Sequence, residues 1–354
     1  MGVFYSSMKR RFIALIAFLA ASLLALAGFA VATLGSAQTQ ASRVSFVLAT
    51  GSTGGTYFPV GQAIAGIVSH PPGVARCDIS GVCGPAGLVA SVRSSPGSIA
   101  NVLDVNAGRS DGALAQSDIV AEAVSGKGDF RKDGPQSHVR LIADLFPEEV
   151  HVVAAAAAHI EKIADLKGKR VALGVADSGT ASAAHEVLAA YRIPEWRLKA
   201  INVPPEVAAQ RLERGQIDAF FFVGGAPVEL VRSLIAGGKA QLVPIDGPGR
   251  QRLLGEEPGL TSETIPAEDY ANGRGATETV GVHAVLIVND AISPGLVYGM
   301  TKALFNPANR ALLDAAHPSA RLIRLESATR TMPAPLHPGA ARFYREMGVI
   351  AGRG

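Results

Sequence analysis

One local grammar recurs along the chain: an apolar run, a loop of small hydroxyl and glycine residues, then apolar residues at helical spacing. The clearest copy is "RVALGVADSGTASAAHEVLAAYRI", in which the strand-like Arg170–Val175 feeds a helix through Ala176–Thr180. An earlier copy leads from "RVSFVLAT" through Thr50–Thr56 into "PVGQAIAGIVSH", where Val60, Ile64, Ile67 and Val68 fall on one helical face. A later one leads from "IDAFFFV" through a Gly-Gly loop into "APVELVRSLIAGG". Strands alternating with helices imply largely parallel sheets covered on both faces. There are too many such units for one small sheet. The expectation is therefore an α/β protein of two lobes built on open, mostly parallel sheets.

Length and charge agree with a globular chain. The protein has 354 residues, 48% hydrophobic and 18% charged, which excludes a disordered chain. Its net charge of +3 comes from Lys9, Arg10 and Arg11, because no acid precedes Asp78. Beyond residue 41 the basic and acidic residues balance, so nothing points to nucleic acid.

That basic cluster precedes an apolar run, Phe12–Leu34, and the small residues of "GSAQTQA". Residues 1–41 read as an export signal cut after Ala37 or Ala41, or as an uncleaved membrane helix. Either delivers the remainder outside the cytoplasm. Cys77 and Cys83, the only cysteines, then meet an oxidising compartment, where a short-loop disulfide is expected; two buried free thiols are the alternative.

Three loops join a strand to a helix through small residues: Thr50–Thr56, Ser94–Ser98 ("SSPGS") and Asp177–Thr180 ("DSGT"). Helix N-termini carry unpaired N–H groups and partial positive charge, so loops of this kind can hold an anion. Each loop alone is also ordinary capping and turn chemistry. Catalytic motifs fail in detail. "GSTGGT" is neither a dinucleotide fingerprint nor a P-loop, and "HEVLA" has Ala189 where a zinc site needs a second His. A hydrolase using Ser52 or Ser178 lacks a general base, so no enzyme, metal or cofactor is expected.

With these residues in view, the chain resembles the TAXI family of solute receptors for TRAP transporters. The similarity rests on "ATGSTGGTYFPVGQAIAGIV", "GSIANVLDVNAGRSDGALAQSD", "DLKGKRVALGVADSGT", "GQIDAFFFVGGAP" and "PLHPGAARFYREMG", in that order from about Val44 to Gly348. It implies a two-lobed, hinge-closing periplasmic binding protein of type II. Such a receptor is monomeric, captures a small organic anion (a glutamate-like amino acid or a dicarboxylate) and delivers it to TRAP permease subunits. Receptors of this architecture also serve ABC permeases and sensors. Carried over residue by residue, the ligand set is Thr53, Gly54, Gly55 and Tyr57, then Ser98, Asn101 and Gln116, then Ser178, Gly179, Thr180 and Phe222.

Two positions depart from the family pattern: Ala100 before Asn101, and Asp177 in place of glycine, which sets a carboxylate beside the site. The loops hold no Arg or Lys, so an anion there relies on N–H groups, hydroxyls and the amides of Asn101 and Gln116. Lobe 1 is expected from residues 42–149 and 281–354, lobe 2 from 150–280. Hinge segments are expected near Pro147–His151 and Val280–Ala284.

Overall fold

The computed structural model describes residues 16, 18–23, 43–270 and 275–351. The expected signal or anchor, 1–41, lies almost wholly outside them. Among the described residues no helix is long and apolar enough to cross a membrane.

Residues from Val44 onward form one compact unit. Its first part carries strands β1 (Val44–Ala49), β2 (Leu88–Arg93) and β3 (Gly112–Gln116), with helices α1 (Tyr57–Val68), α2 (Ser98–Asn106) and α3 (Ser117–Ser125) after them. The long strand β4 (Val139–Ala155) follows. Beyond it come β5 (Arg170–Ala172), α4 (Gly179–Ala190), β6 (Lys199–Ile201), α5 (Pro205–Glu213) and β7 (Ala219–Gly224). Short strands β8 (Ala240–Leu242) and β9 (Thr261–Ile265) precede β10 (Thr277–Asn289), and the chain closes with helices such as Pro294–Leu304 and Pro338–Glu346.

Among the described residues ten strands form a single open sheet, ordered β2-β1-β3-β10-β4-β7-β5-β6, with β8 on β4 and β9 on β10. Pairing is parallel in both outer parts, β1 with β2 and β3, and β5 with β6 and β7. It is antiparallel where those parts join, through β3, β10, β4 and β7. The sheet is thus mixed, and the parallel sheets expected separately are its two ends.

Strand β4 runs unbroken from Val139 to Ala155. The polar Pro147-Glu148-Glu149 step does not end it, because β10 pairs alongside with Gly281 opposite Glu149 and His283 opposite Pro147. Both segments expected as hinges are therefore neighbouring extended strands.

The apolar core divides at this crossing. Phe46, Leu114, Phe146, Leu286 and Tyr344 belong to one cluster, and Val102, Ile119, Leu141 and Ile287 to a second. Val150, Val187, Phe221 and Val282 form a third, and Val153, Leu212, Phe220 and Tyr270 a fourth. The first two draw on residues up to Phe146 and from Ala284 onward; the last two draw only on Val150 to Val282. Within the later part, strands buried on both faces account for there being two clusters, since "AFFFV" sends Phe220 and Phe221 into different ones. Cys77 and Cys83 are bonded in the loop between α1 and β2, so neither is a free thiol.

Candidate functional site

Three of the small-residue loops end at helix N-termini that meet in one crevice. Its lining includes Ser52, Gly55, Thr56 and Tyr57 from the first loop, and Pro96, Gly97 and Ser98 from the second. Gln116 and Glu148 come from β3 and β4; Gly174, Ser178, Gly179, Thr180, Pro205 and Phe222 come from the part beyond β4. The cavity is about 70 Å3, against roughly 10–15 Å3 for one water, so it suits a small solute.

Local chemistry sets each element. The hydroxyl of Ser178 caps α4, its oxygen accepting the Ala181 N–H at 3.1 Å while its hydrogen goes to the Val175 carbonyl at 2.6 Å. Ser98 accepts the Gln116 N–H at 3.1 Å, which ties the second loop to the end of β3. Thr180 accepts the Val223 N–H at 3.2 Å, fixing α4 on β7. Gly97 has φ 140°, a conformation suited to glycine, and a Cβ on it would touch Ser178. The Ala100 N–H donates to the Asp177 carbonyl at 3.0 Å across the crevice.

Most of the residues singled out in the sequence come together. Gly55, Tyr57, Ser98, Gln116, Ser178, Gly179, Thr180 and Phe222 all line the crevice. Asn101, Thr53 and Gly54 do not. Asn101 is fully buried and its amide donates to the Thr50 and Leu114 carbonyls, so it pins the first loop to the sheet. Thr53 is exposed, and Gly54 faces Glu206. Asp177 is exposed and is not part of the lining, so its carboxylate does not load the crevice with negative charge. Arg93 pairs with Asp104 at 2.6 Å and Arg76 donates to the Gly66 and Ile67 carbonyls; neither points to a ligand role.

Among the lining residues there is no Arg or Lys. The only ionisable lining groups are Tyr57 and Glu148, and the Tyr57 hydroxyl donates to Glu148 Oε2 at 2.6 Å. Burial pushes the Glu148 carboxyl up to about 8, with the Tyr57 bond pulling the other way. Burial likewise raises the Tyr57 phenol well above its usual value. At neutral pH the crevice is therefore lined by neutral groups, and the partial positive charge that faces it comes from the first turns of α1, α2 and α4. Thr56 Oγ1 and Gln116 Oε1 are buried there with no hydrogen-bond partner.

Two acids were not singled out in the sequence. Glu148 stands in a strand and Glu206 in a first helical turn, where an acid is ordinarily a surface residue. Glu206 reaches over from α5 to the first loop: Gly54 N–H donates to its Oε1 at 2.6 Å, the Ser52 hydroxyl donates to the same oxygen, and Thr53 Oγ1 lies 3.4 Å away. Burial would raise its carboxyl, but these hydrogen bonds outweigh burial and hold it below the usual range.

A second acidic group spans the same divide. Carboxylate oxygens of Glu122, Glu186 and Glu257 lie within 4.8 Å of one another, and the Ser182 hydroxyl donates to Asp129 Oδ2 at 2.8 Å. Burial first, then the neighbouring acids, pushes Glu186 up to about 8; burial pushes Asp118 up to about 7.

The chain matches the NMT1-like family over residues 48–348. Among solved structures it is similar to MatC from Rhodopseudomonas palustris with bound malate, at 13% identity and a TM-score of 0.52, covering 88% of this chain and 99% of that one. It is also similar to the periplasmic binding protein BugD, at 12% identity and 0.49, covering 87% and 94% of the two chains. The alkanesulfonate-binding protein SsuA from Xanthomonas axonopodis pv. citri bound to MOPS follows at 14% and 0.45, covering 86% and 84%. At 13% identity the likeness to MatC shows the fold alone.

Proposed function

The chain belongs to the NMT1-like family, and from that premise we propose that it is an extracytoplasmic solute receptor feeding a TRAP-type membrane permease. The solute is a small organic anion, a glutamate-like amino acid or a dicarboxylate. The observation that carries this reading is the convergence of Tyr57, Ser98 and Gln116 with Ser178, Gly179 and Thr180 on one crevice. The first three stand before β4 and the others after it, so a solute held between them bridges both sides of the core.

The division of the core at Phe146/Val150 and Val282/Ala284 supports two lobes, 42–149 with 281–354 and 150–280. On this reading β4 and β10 flex where they cross, and an anion stabilises the closed form by contacts the open form lacks. A cavity without Arg or Lys can still hold a carboxylate, since hydrogen bonds to an ionised group are about twice as strong as neutral ones. The malate bound to MatC is of the same chemical class. Function outside the cytoplasm follows from the expected export segment and agrees with the Cys77–Cys83 bond.

A thermal-shift screen of amino acids and dicarboxylates tests the proposal, because a solute that binds only the folded protein raises the midpoint with its concentration. Saturable shifts with one such anion, together with a smaller radius of gyration in small-angle scattering, are the expected result. A screen in which no organic anion shifts the midpoint overturns it.

A further inference from the structure

The loop that was expected to seat an anion already has one. Ser52, Thr53 and Gly54 offer two hydroxyls and an N–H, and the group they meet is the side-chain carboxylate of Glu206. The fit is close. A Cβ on Gly54 would stand 2.9 Å from Glu206 Cγ and Oε1, so only glycine lets the carboxylate reach the backbone N–H. Hydrogen bonding keeps Glu206 ionised despite partial burial, as for a bound anion and unlike the protonated Glu148 nearby.

Glu206 sits at the start of α5, whose Pro205 and Ala208 also line the crevice. Its partners belong to the first part of the chain, on the other side of the β4 crossing. We infer that Glu206 is a tethered occupant of the anion seat made by Ser52, Thr53 and Gly54, clasping the two sides of the crevice together without any solute. A solute whose anionic group meets the first turns of α2 and α4 leaves this clasp in place. One that brings a second carboxylate to the first loop has to displace Glu206, so the clasp selects against it. This deepens the receptor reading only in taking the crevice as the place where solute binds.

Removing the tether should make the seat available to a free carboxylate, which gives a test that needs no knowledge of the natural solute. The full chain carrying Glu206→Ala is titrated with acetate and formate, with chloride as the ionic-strength control, following thermal midpoint and radius of gyration. The variant should be larger than the wild type and less stable, and acetate should restore both properties saturably while leaving the wild type unchanged. Glu206→Gln, which keeps the side-chain shape, covers the case in which the alanine variant fails to fold; it should open partly and respond weakly. Variants with wild-type dimensions and no acetate response overturn the clasp, as does an equal acetate response in the wild type. An acetate response with no anion found in the solute screen would sustain the clasp and sink the receptor; solute binding without acetate rescue would do the reverse.

Discussion

The Tyr57 hydroxyl donates to Glu148 Oε2 at 2.6 Å, tying the first turn of α1 to β4 at the point where that strand leaves one core for the other. Both groups are buried, so their hydrogen bond is shielded from water. Tyr57→Phe leaves a buried carboxyl oxygen unpaired and should destabilise the protein by about 1–3 kcal/mol. Glu148→Gln keeps an acceptor for the phenol and should cost less. Denaturant midpoints read both; a Tyr57→Phe midpoint equal to the wild type would show that this pair does not hold the crossing.

Stability should peak at mildly acidic pH. Burial raises Glu148 and Glu186 to about 8, and Asp118 and Glu149 to about 7, above their unfolded values of 4.5 and 3.8. The folded state therefore keeps protons that the unfolded chain releases, and stability falls as pH rises from about 4.5 through 8. His151 acts in the opposite sense. Burial lowers it to about 4, so the unfolded chain takes up its proton first and stability falls as pH drops from 6.5 to 4. The His151 tautomer is fixed, Nδ1–H donating to the Glu149 carbonyl and Nε2 accepting from the Tyr270 hydroxyl. With four raised acids against the lowered His151, thermal midpoints from pH 4 to 9 should be highest at about pH 4.5 and decline from there, and Glu186→Gln should make that decline shallower. A midpoint that climbs between pH 6 and pH 8.5 would contradict the assignment of protonated acids to the cluster around Glu186.

Which parts of this site could be read in advance follows from the reach of local pattern. The first, second and third loops were legible because small residues between an apolar run and a helical stretch leave their mark within about ten positions. Tyr57, Ser98, Gln116 and Ser178 reached the crevice on that basis together with the family resemblance. Asn101 stands outside the crevice lining because its amide serves the Thr50 and Leu114 carbonyls, partners made by tertiary folding. Glu206 meets Ser52 across a separation of 154 residues, and Tyr57 meets Glu148 across 91, distances at which no spacing rule operates. The same limit hid the unity of β4. Pro147, Glu148 and Glu149 look like a break until β10 is laid beside them.

The Cys77–Cys83 bond closes a short loop, with a sequence separation of 6. Loop-closure entropy for so few residues amounts to about 2 kcal/mol. Reduction should therefore lower the midpoint by about 3 °C for a unit of this size. Cys77→Ala with Cys83→Ala should reproduce the shift and abolish the effect of reductant. A reductant effect that persists in the double variant would place its cause elsewhere.

Gly179 packs against the Gln116 carboxamide, and a methyl group on its Cα would run into the Gln116 side chain. Gly179 opens α4 and Gln116 ends β3, so this contact measures how closely the two sides of the crevice meet. Gly179 does not adopt the left-handed backbone, so alanine is tolerated by the chain itself and only the approach of Gln116 forbids it. Gly179→Ala should leave each side folded while forcing them apart or displacing Gln116, at about 1–3 kcal/mol of overpacking. In scattering the variant should be larger than the wild type, and any solute that shifts the wild-type midpoint should do so less. Adding Gln116→Ala removes the obstacle, and the double variant should recover the compact dimensions although it lacks the amide. The coupling between the two substitutions is then non-additive, as for residues in contact. Additive effects, or a Gly179→Ala protein as compact as the wild type, would mean that the two sides do not close on this pair.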